Sequence, residues 1–131
     1  MNIWQSIVSL LGRVLLASMY VIAGFGKLGS GYAGTQGYME AMGVSGSLLP
    51  LVILLELGGG LALMLGLFTR SLAVLFAFFT LMTVVYFHAN WAEQTQMLFA
   101  LKNISVTGGF LMLAVAGPGC FSLDARWGKR W

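Results

Sequence analysis

The chain has 131 residues, of which 59% are hydrophobic and 8% charged, and its mean hydropathy is +0.89. A soluble domain carries about 25% charged residues, so this composition excludes a water-covered globule. It points to an integral membrane protein with room for four spans of roughly 20 residues and no separate soluble domain.

The net charge of +3 is small, and three of the seven basic residues (Arg126, Lys129 and Arg130) fall in the last six positions. This reads as a cytoplasmic tail at the membrane surface. No nucleic-acid partner is expected, because nothing else in the chain offers a groove-reading element. A single cysteine, Cys120, excludes an internal disulfide and a CxxC dithiol. The N-terminal apolar run is long and lacks both a basic leader and an A-x-A cleavage site, so it is expected to be a retained helix and not a signal peptide.

The first predicted helix covers about residues 4–26, interrupted by Arg13. Stepping seven, four and three residues on from Arg13 reaches Tyr20, Gly24 and Lys27, which at the helical period all lie within about 40° of Arg13. Lys27 has a second reading, in which it snorkels to the interface. The Gly-rich connection that follows holds a predicted short interfacial helix, capped by Thr35 and stopped at Gly43.

The second predicted helix, about residues 48–67, carries Glu56 in an otherwise apolar span, with Pro50 in its first turn. An ionisable residue at that depth is expensive and marks a functional site or a buried pair. Gly58, Ala62 and Gly66 form a small-xxx-small row suited to close helix packing. Gly59 and Gly60 adjoin the face of Glu56, where packing and room for a ligand are both open. Thr69-Arg70-Ser71 is predicted as a tight turn. The third helix, about residues 72–88, has no charged side chain before His88, and an isolated histidine at a helix end is more often interfacial than a proton carrier. After a polar loop bearing Trp91, the fourth helix covers about residues 97–116, with Lys102 and Asn103 in its first two turns. Gly117-Pro118-Gly119 stops it. The tail is amphipathic, with Trp127 and Trp131 placed at the headgroups.

The fold class is therefore all-α: a single integral-membrane four-helix bundle. Four spans put both termini on one side, together with Arg70 and the basic tail, and the positive-inside rule makes that side cytoplasmic. At the helical rise, Arg13 lies roughly 12 Å in from one face and Glu56 roughly 12 Å in from the other, so they differ by about 6 Å in depth. Glu56 is expected to be bracketed by Arg13 and Lys102, with Lys27 and His88 at the outer mouth. Three cations (Arg13, Lys27 and Lys102) face one intramembrane anion. The surplus either reaches the interface or receives an anionic or carbonyl-bearing ligand. A buried ion-pair network that sets helix register is the structural alternative.

Arg13, the GxGKL of Gly24 to Leu28, the ELGGGL of Glu56 to Leu61, the GLFTR of Gly66 to Arg70, the KNISVTGGFLML of Lys102 to Leu113 and the GPGCFSLD of Gly117 to Asp124, in this order, resemble the DoxX family over nearly the whole chain. The resemblance implies a four-helix bacterial inner-membrane protein, with Arg13, Lys27, Glu56, Lys102 and Asn103 on family-pattern positions. It also implies an association with membrane oxidoreductase systems, since some relatives are subunits of a thiosulfate:quinone oxidoreductase and others accompany complexes that answer to thiol and oxidative stress.

The candidate polar core is thus Arg13, Lys27, Glu56, His88, Lys102 and Asn103, with no residue singled out as catalytic and no metal motif. No flavin or haem motif is present, so quinone or a small sulfur oxyanion is the candidate ligand, and electrons need a redox protein partner or the quinone itself. In this reading Glu56 or His88 moves the proton. A non-catalytic binding or assembly protein is the alternative. A transporter ranks last, because four helices need a homo-oligomer to form a pore and no inverted repeat is visible.

Overall fold

The computed structural model describes residues 1–87 and 90–131. Among them every regular element is helical. Helix α1 is Ile3–Gly26, α2 is Gly31–Ala41, α3 is Gly46–Leu65, α4 is Thr69–Phe87, α5 is Gln94–Ala116 and α6 is Leu123–Arg126. Helices α1, α3, α4 and α5 are long and apolar enough to cross a bilayer, and only 22% to 28% of each spanning window is buried within the chain. Their outward faces are nevertheless leucine, valine and phenylalanine, so the surrounding solvent must be hydrocarbon.

Helix α1 opens with a reciprocal cap. Asn2 Oδ1 accepts from the Gln5 amide at 2.8 Å, and Gln5 Oε1 accepts from the Asn2 amide at 2.9 Å, which satisfies two orphan donors. The bundle packs as two pairs, α1 along α3 and α4 along α5. Their common core is Ala17, Tyr20, Leu63, Phe76 and Phe110, with Phe76 and Phe110 stacked at 5.3 Å.

Helix α3 is not uniform. It starts as a 3-10 turn, becomes α-helical over Leu49–Ile53, widens to a π-helix over Leu54–Gly59, and returns to α over Gly60–Leu65. The wide turn shifts the faces that follow it. The expected Gly58-Ala62-Gly66 packing row is therefore not the contact surface: Gly58 faces outward. The close approach is made by Gly60, where a Cβ would lie 2.8 Å from Val21 Cγ2, and by Gly24 of α1, where a Cβ would lie 2.8 Å from the Leu57 amide nitrogen.

Both termini lie at one end of the bundle, the terminal end. There Cys120 N donates to Ser6 Oγ at 3.2 Å and Ser9 Oγ donates to Gly117 O at 3.3 Å. The tail is tied to the bundle through Asp124. It turns back, and Asp124, 1% exposed, accepts from the amides of Phe68 and Thr69, each at 2.8 Å. These are orphan donors at the start of α4. Residues 69–71, expected as a turn, are accordingly the first turn of α4, and the reversal falls at Gly66 and Phe68, which have φ of 73° and 51°. Arg70 closes the other open end by donating to the Ala114 and Val115 carbonyls at the end of α5. Asp124→Ala is expected to destabilise the bundle by about 1–2 kcal/mol, the cost of a lost helix cap. Asp124→Asn should lose part of that, because only one of its two side-chain atoms accepts. Thermal melting in detergent is the measurement, and an unshifted Asp124→Ala curve would show that the tail contributes no cap.

Candidate functional site

The distal end, opposite the termini, holds a cluster of polar residues around a cavity of about 730 Å³. The site begins with helix approach. Because Gly24 has no side chain, the last turn of α1 lies directly on the π-helical turn of α3. Lys27, the residue that caps α1, then reaches Glu56 within that turn, with Nζ and Oε2 2.7 Å apart. The Glu56 side chain is 7% exposed and that of Lys27 is 23% exposed. The carboxylate is therefore held inside while the ammonium sits at the rim. Single π-helical turns recur at functional sites, and here the turn carries the one intramembrane carboxylate.

The opposite wall comes from α4 and α5. Lys102 and Asn103 line it, and Asn103 Nδ2 donates to Thr83 Oγ1 at 2.9 Å. Thr83 Oγ1 in turn donates to Thr80 O at 2.6 Å. The floor is Tyr20, whose hydroxyl is paired with the Thr80 hydroxyl and whose ring sits against Phe76, Phe79 and Phe110. Phe76 is fully buried beneath it, so the cavity ends at this aromatic layer. Apolar side chains such as Met19, Leu55 and Met82 fill most of the remaining wall.

Helix α2 and the chain after it close the distal side. Tyr38 stacks on Phe87 with ring centroids 5.4 Å apart, and Gln36 Nε2 donates to Gly46 O at 3.2 Å. This helix begins four residues earlier than its expected cap. Thr35 lies inside it, donating to the Gly31 carbonyl at 2.8 Å.

Of the residues proposed from sequence, Lys27, Glu56, Lys102 and Asn103 line this one cavity. His88 lies outside the described residues. Arg13 is elsewhere, and the expected bracketing of Glu56 by Arg13 and Lys102 does not occur. Arg13 is 1% exposed at the terminal end, where Nη1 donates to Pro118 O at 2.7 Å and Nη2 donates to Phe121 O at 2.7 Å and Met64 O at 3.3 Å. Three carbonyls freed by the breaks after α3 and α5 draw the guanidinium away from the distal half. The start of α5 at Gln94 also puts Lys102 and Asn103 in its third turn, roughly 12 Å along the helix, and not in its first two. Thr80 and Thr83 escaped the sequence reading. Their only signal was a pair of hydroxyls three residues apart in the apolar middle of a helix. Among the described residues, no three His, Cys, Asp or Glu side chains gather as a metal site.

The DoxX family model matches residues 8–89. The chain belongs to the DoxX family. This DoxX protein is similar to two proteins of Escherichia coli (strain K12). One is "Inner membrane protein YqjF", 52% identical over 122 residues that span 93% of each chain. The other is "Inner membrane protein YphA", 39% identical over 129 residues that span 93% of this chain and 91% of that one. No solved structure matches it. Four apolar spans and inner-membrane relatives make this DoxX protein a bacterial multi-pass inner-membrane protein, whose outward faces contact lipid.

Proposed function

We propose that this DoxX protein is the ligand-binding subunit or accessory of a membrane oxidoreductase system, and that its distal cavity receives a quinone ring. What carries the reading is the cavity itself: about 730 Å³, within the range of small-molecule sites, mostly apolar, with a few charged and amide groups converging on it. Lys27 is matched by Glu56, and Arg13 is bound by backbone carbonyls at the other end. Among the described cavity residues, Lys102 is then the cation with no carboxylate beside it; its Nζ lies 5.1 Å from the Phe99 ring centroid. One unmatched cation against large apolar walls suits a ring with carbonyl oxygens better than a small sulfur oxyanion, which needs several donors and little apolar contact.

Lys102 would hold a ring oxygen, and Glu56, with Lys27 as its counter-charge, would take or give the proton. Electrons would come from a redox protein partner. With both termini in the cytoplasm, as the basic tail favours, the cavity lies in the periplasmic half of the bundle.

Decylubiquinone titrated into the purified protein in mild detergent should bind saturably, and Lys102→Met should weaken binding at least about tenfold while leaving the helical content unchanged. Uptake no greater than into empty micelles would remove the reading. It would leave the second one, a non-catalytic assembly protein, which the mutual neutralisation of Lys27 and Glu56 favours.

A further inference from the structure

We infer that the cavity discriminates between the two redox forms of its ligand and holds the hydroxyl-bearing quinol more tightly than the quinone. The inference rests on the proposed quinone site and comes from counting hydrogens along one wall. Thr83 Oγ1 lies 2.6 Å from the Thr80 carbonyl. A carbonyl only accepts, so the single hydroxyl hydrogen of Thr83 is committed to it. Thr83 Oγ1 is then an acceptor towards its other neighbour, Asn103, 2.9 Å away. The carboxamide of Asn103 must therefore turn its NH2 group to Thr83, and its Oδ1 away.

No described residue donates to that Oδ1. Neither does the atom belong to the buried polar atoms without a partner, which among the described residues are Arg13 Nε and Thr69 Oγ1. Asn103 is 7% exposed, and its accessible surface faces the cavity it lines. The Thr80 hydroxyl is paired with Tyr20 and makes no bond to Oδ1. The wall thus presents a cationic donor, Lys102, and a fixed neutral acceptor, Asn103 Oδ1, in adjacent positions of α5.

A quinone oxygen can only accept. It answers Lys102 and leaves Asn103 Oδ1 desolvated and unmet. A quinol hydroxyl both accepts and donates, so it answers both groups. Sites built to receive a hydroxyl reject the analogue that lacks its hydrogen, because the site's own polar group is left unpaired. Asn103 contacts the ligand in this scheme. Thr83 is a positioning residue that sets the direction of the amide.

The test compares decylubiquinol with decylubiquinone on the full chain in detergent, under anaerobic conditions. The wild type should hold the quinol at least about tenfold more tightly, which raises the midpoint potential of the bound two-electron couple by about 30 mV. Asn103→Leu should bring the ratio to about one without weakening the quinone. Thr83→Val should reduce the ratio by freeing the amide to turn, and Thr83→Ser, which keeps the hydroxyl, should preserve it. The threonine pair keeps the inference open to refutation if Asn103→Leu does not fold. Equal affinities in the wild type, or a ratio that survives in Asn103→Leu or Thr83→Val, would overturn the discrimination while leaving the quinone site in place. Binding of neither form would overturn both.

Discussion

Arg13→Met protein is expected to accumulate poorly and to melt far below the wild type in detergent, with a loss of about 3–5 kcal/mol, the range for removing one member of a buried charged network. The size follows from what the guanidinium holds. It donates to carbonyls of Met64, Pro118 and Phe121, so it ties α1 to the end of α3 and to the turn after α5. Each buried carbonyl left without a donor costs about 1–3 kcal/mol, and a thioether cannot replace a donor. Arg13→Lys should recover only part of the loss, because an ammonium lacks the planar fork that reaches separate acceptors. Gly66 makes the arrangement sterically specific, since a Cβ there would lie 3.2 Å from Arg13 Cζ. A melting curve for Arg13→Met that overlays the wild type would show that these bonds contribute nothing.

The second large effect is asymmetric. Lys27→Met leaves the carboxylate of Glu56, 7% exposed, without its counter-charge, whereas Glu56→Gln leaves the Lys27 ammonium, 23% exposed, close to the rim. The lysine stem can carry its charge outward, while the carboxylate has no such route. Lys27→Met is therefore expected to cost about 3–5 kcal/mol, as for an orphaned buried charge, and Glu56→Gln clearly less. The double variant Lys27→Met, Glu56→Leu should recover most of the loss, with a coupling of about 1–3 kcal/mol. The corresponding Arg13 and Glu56 cycle should be additive within about 0.5 kcal/mol, since the two lie in separate clusters. Thermal melting of the four proteins in each cycle decides the matter. Coupling between Arg13 and Glu56, with none between Lys27 and Glu56, would contradict the pairing. A stable Lys27/Glu56 double variant would also separate structural from ligand-binding roles, because it keeps the bundle and removes the proposed proton site.

The difference between the expected and observed partner of Glu56 is instructive. Depth counted along each helix placed Arg13 within reach of the carboxylate, and the arithmetic was reasonable for isolated spans. It took no account of competing acceptors. The GPGC stretch after α5 frees backbone carbonyls in a low-dielectric setting, and a buried guanidinium goes to them. The same return of the tail buries Asp124 and caps α4, although Asp124 sits in a basic segment whose sequence placed it at the membrane surface. The widened turn at Glu56 was equally invisible: it runs into three consecutive glycines, and α1 packs directly on it at Gly24.

By itself the sequence determined the solvent, the four spans, the placement of both termini at one end and the anomaly of Glu56. Each of these depends on local quantities: mean hydropathy, run length, the parity of crossings and the cost of a charge in hydrocarbon. Only the tertiary structure decided that Lys27 and not Arg13 neutralises Glu56, that Asn103 is oriented by Thr83, and that Arg13 and Asp124 lock the terminal end. Those outcomes depend on which backbones approach most closely, at Gly24 and Gly60, and on where freed carbonyls and amides come to lie. Such pairings join residues as many as 108 positions apart, beyond the reach of any periodicity along one helix.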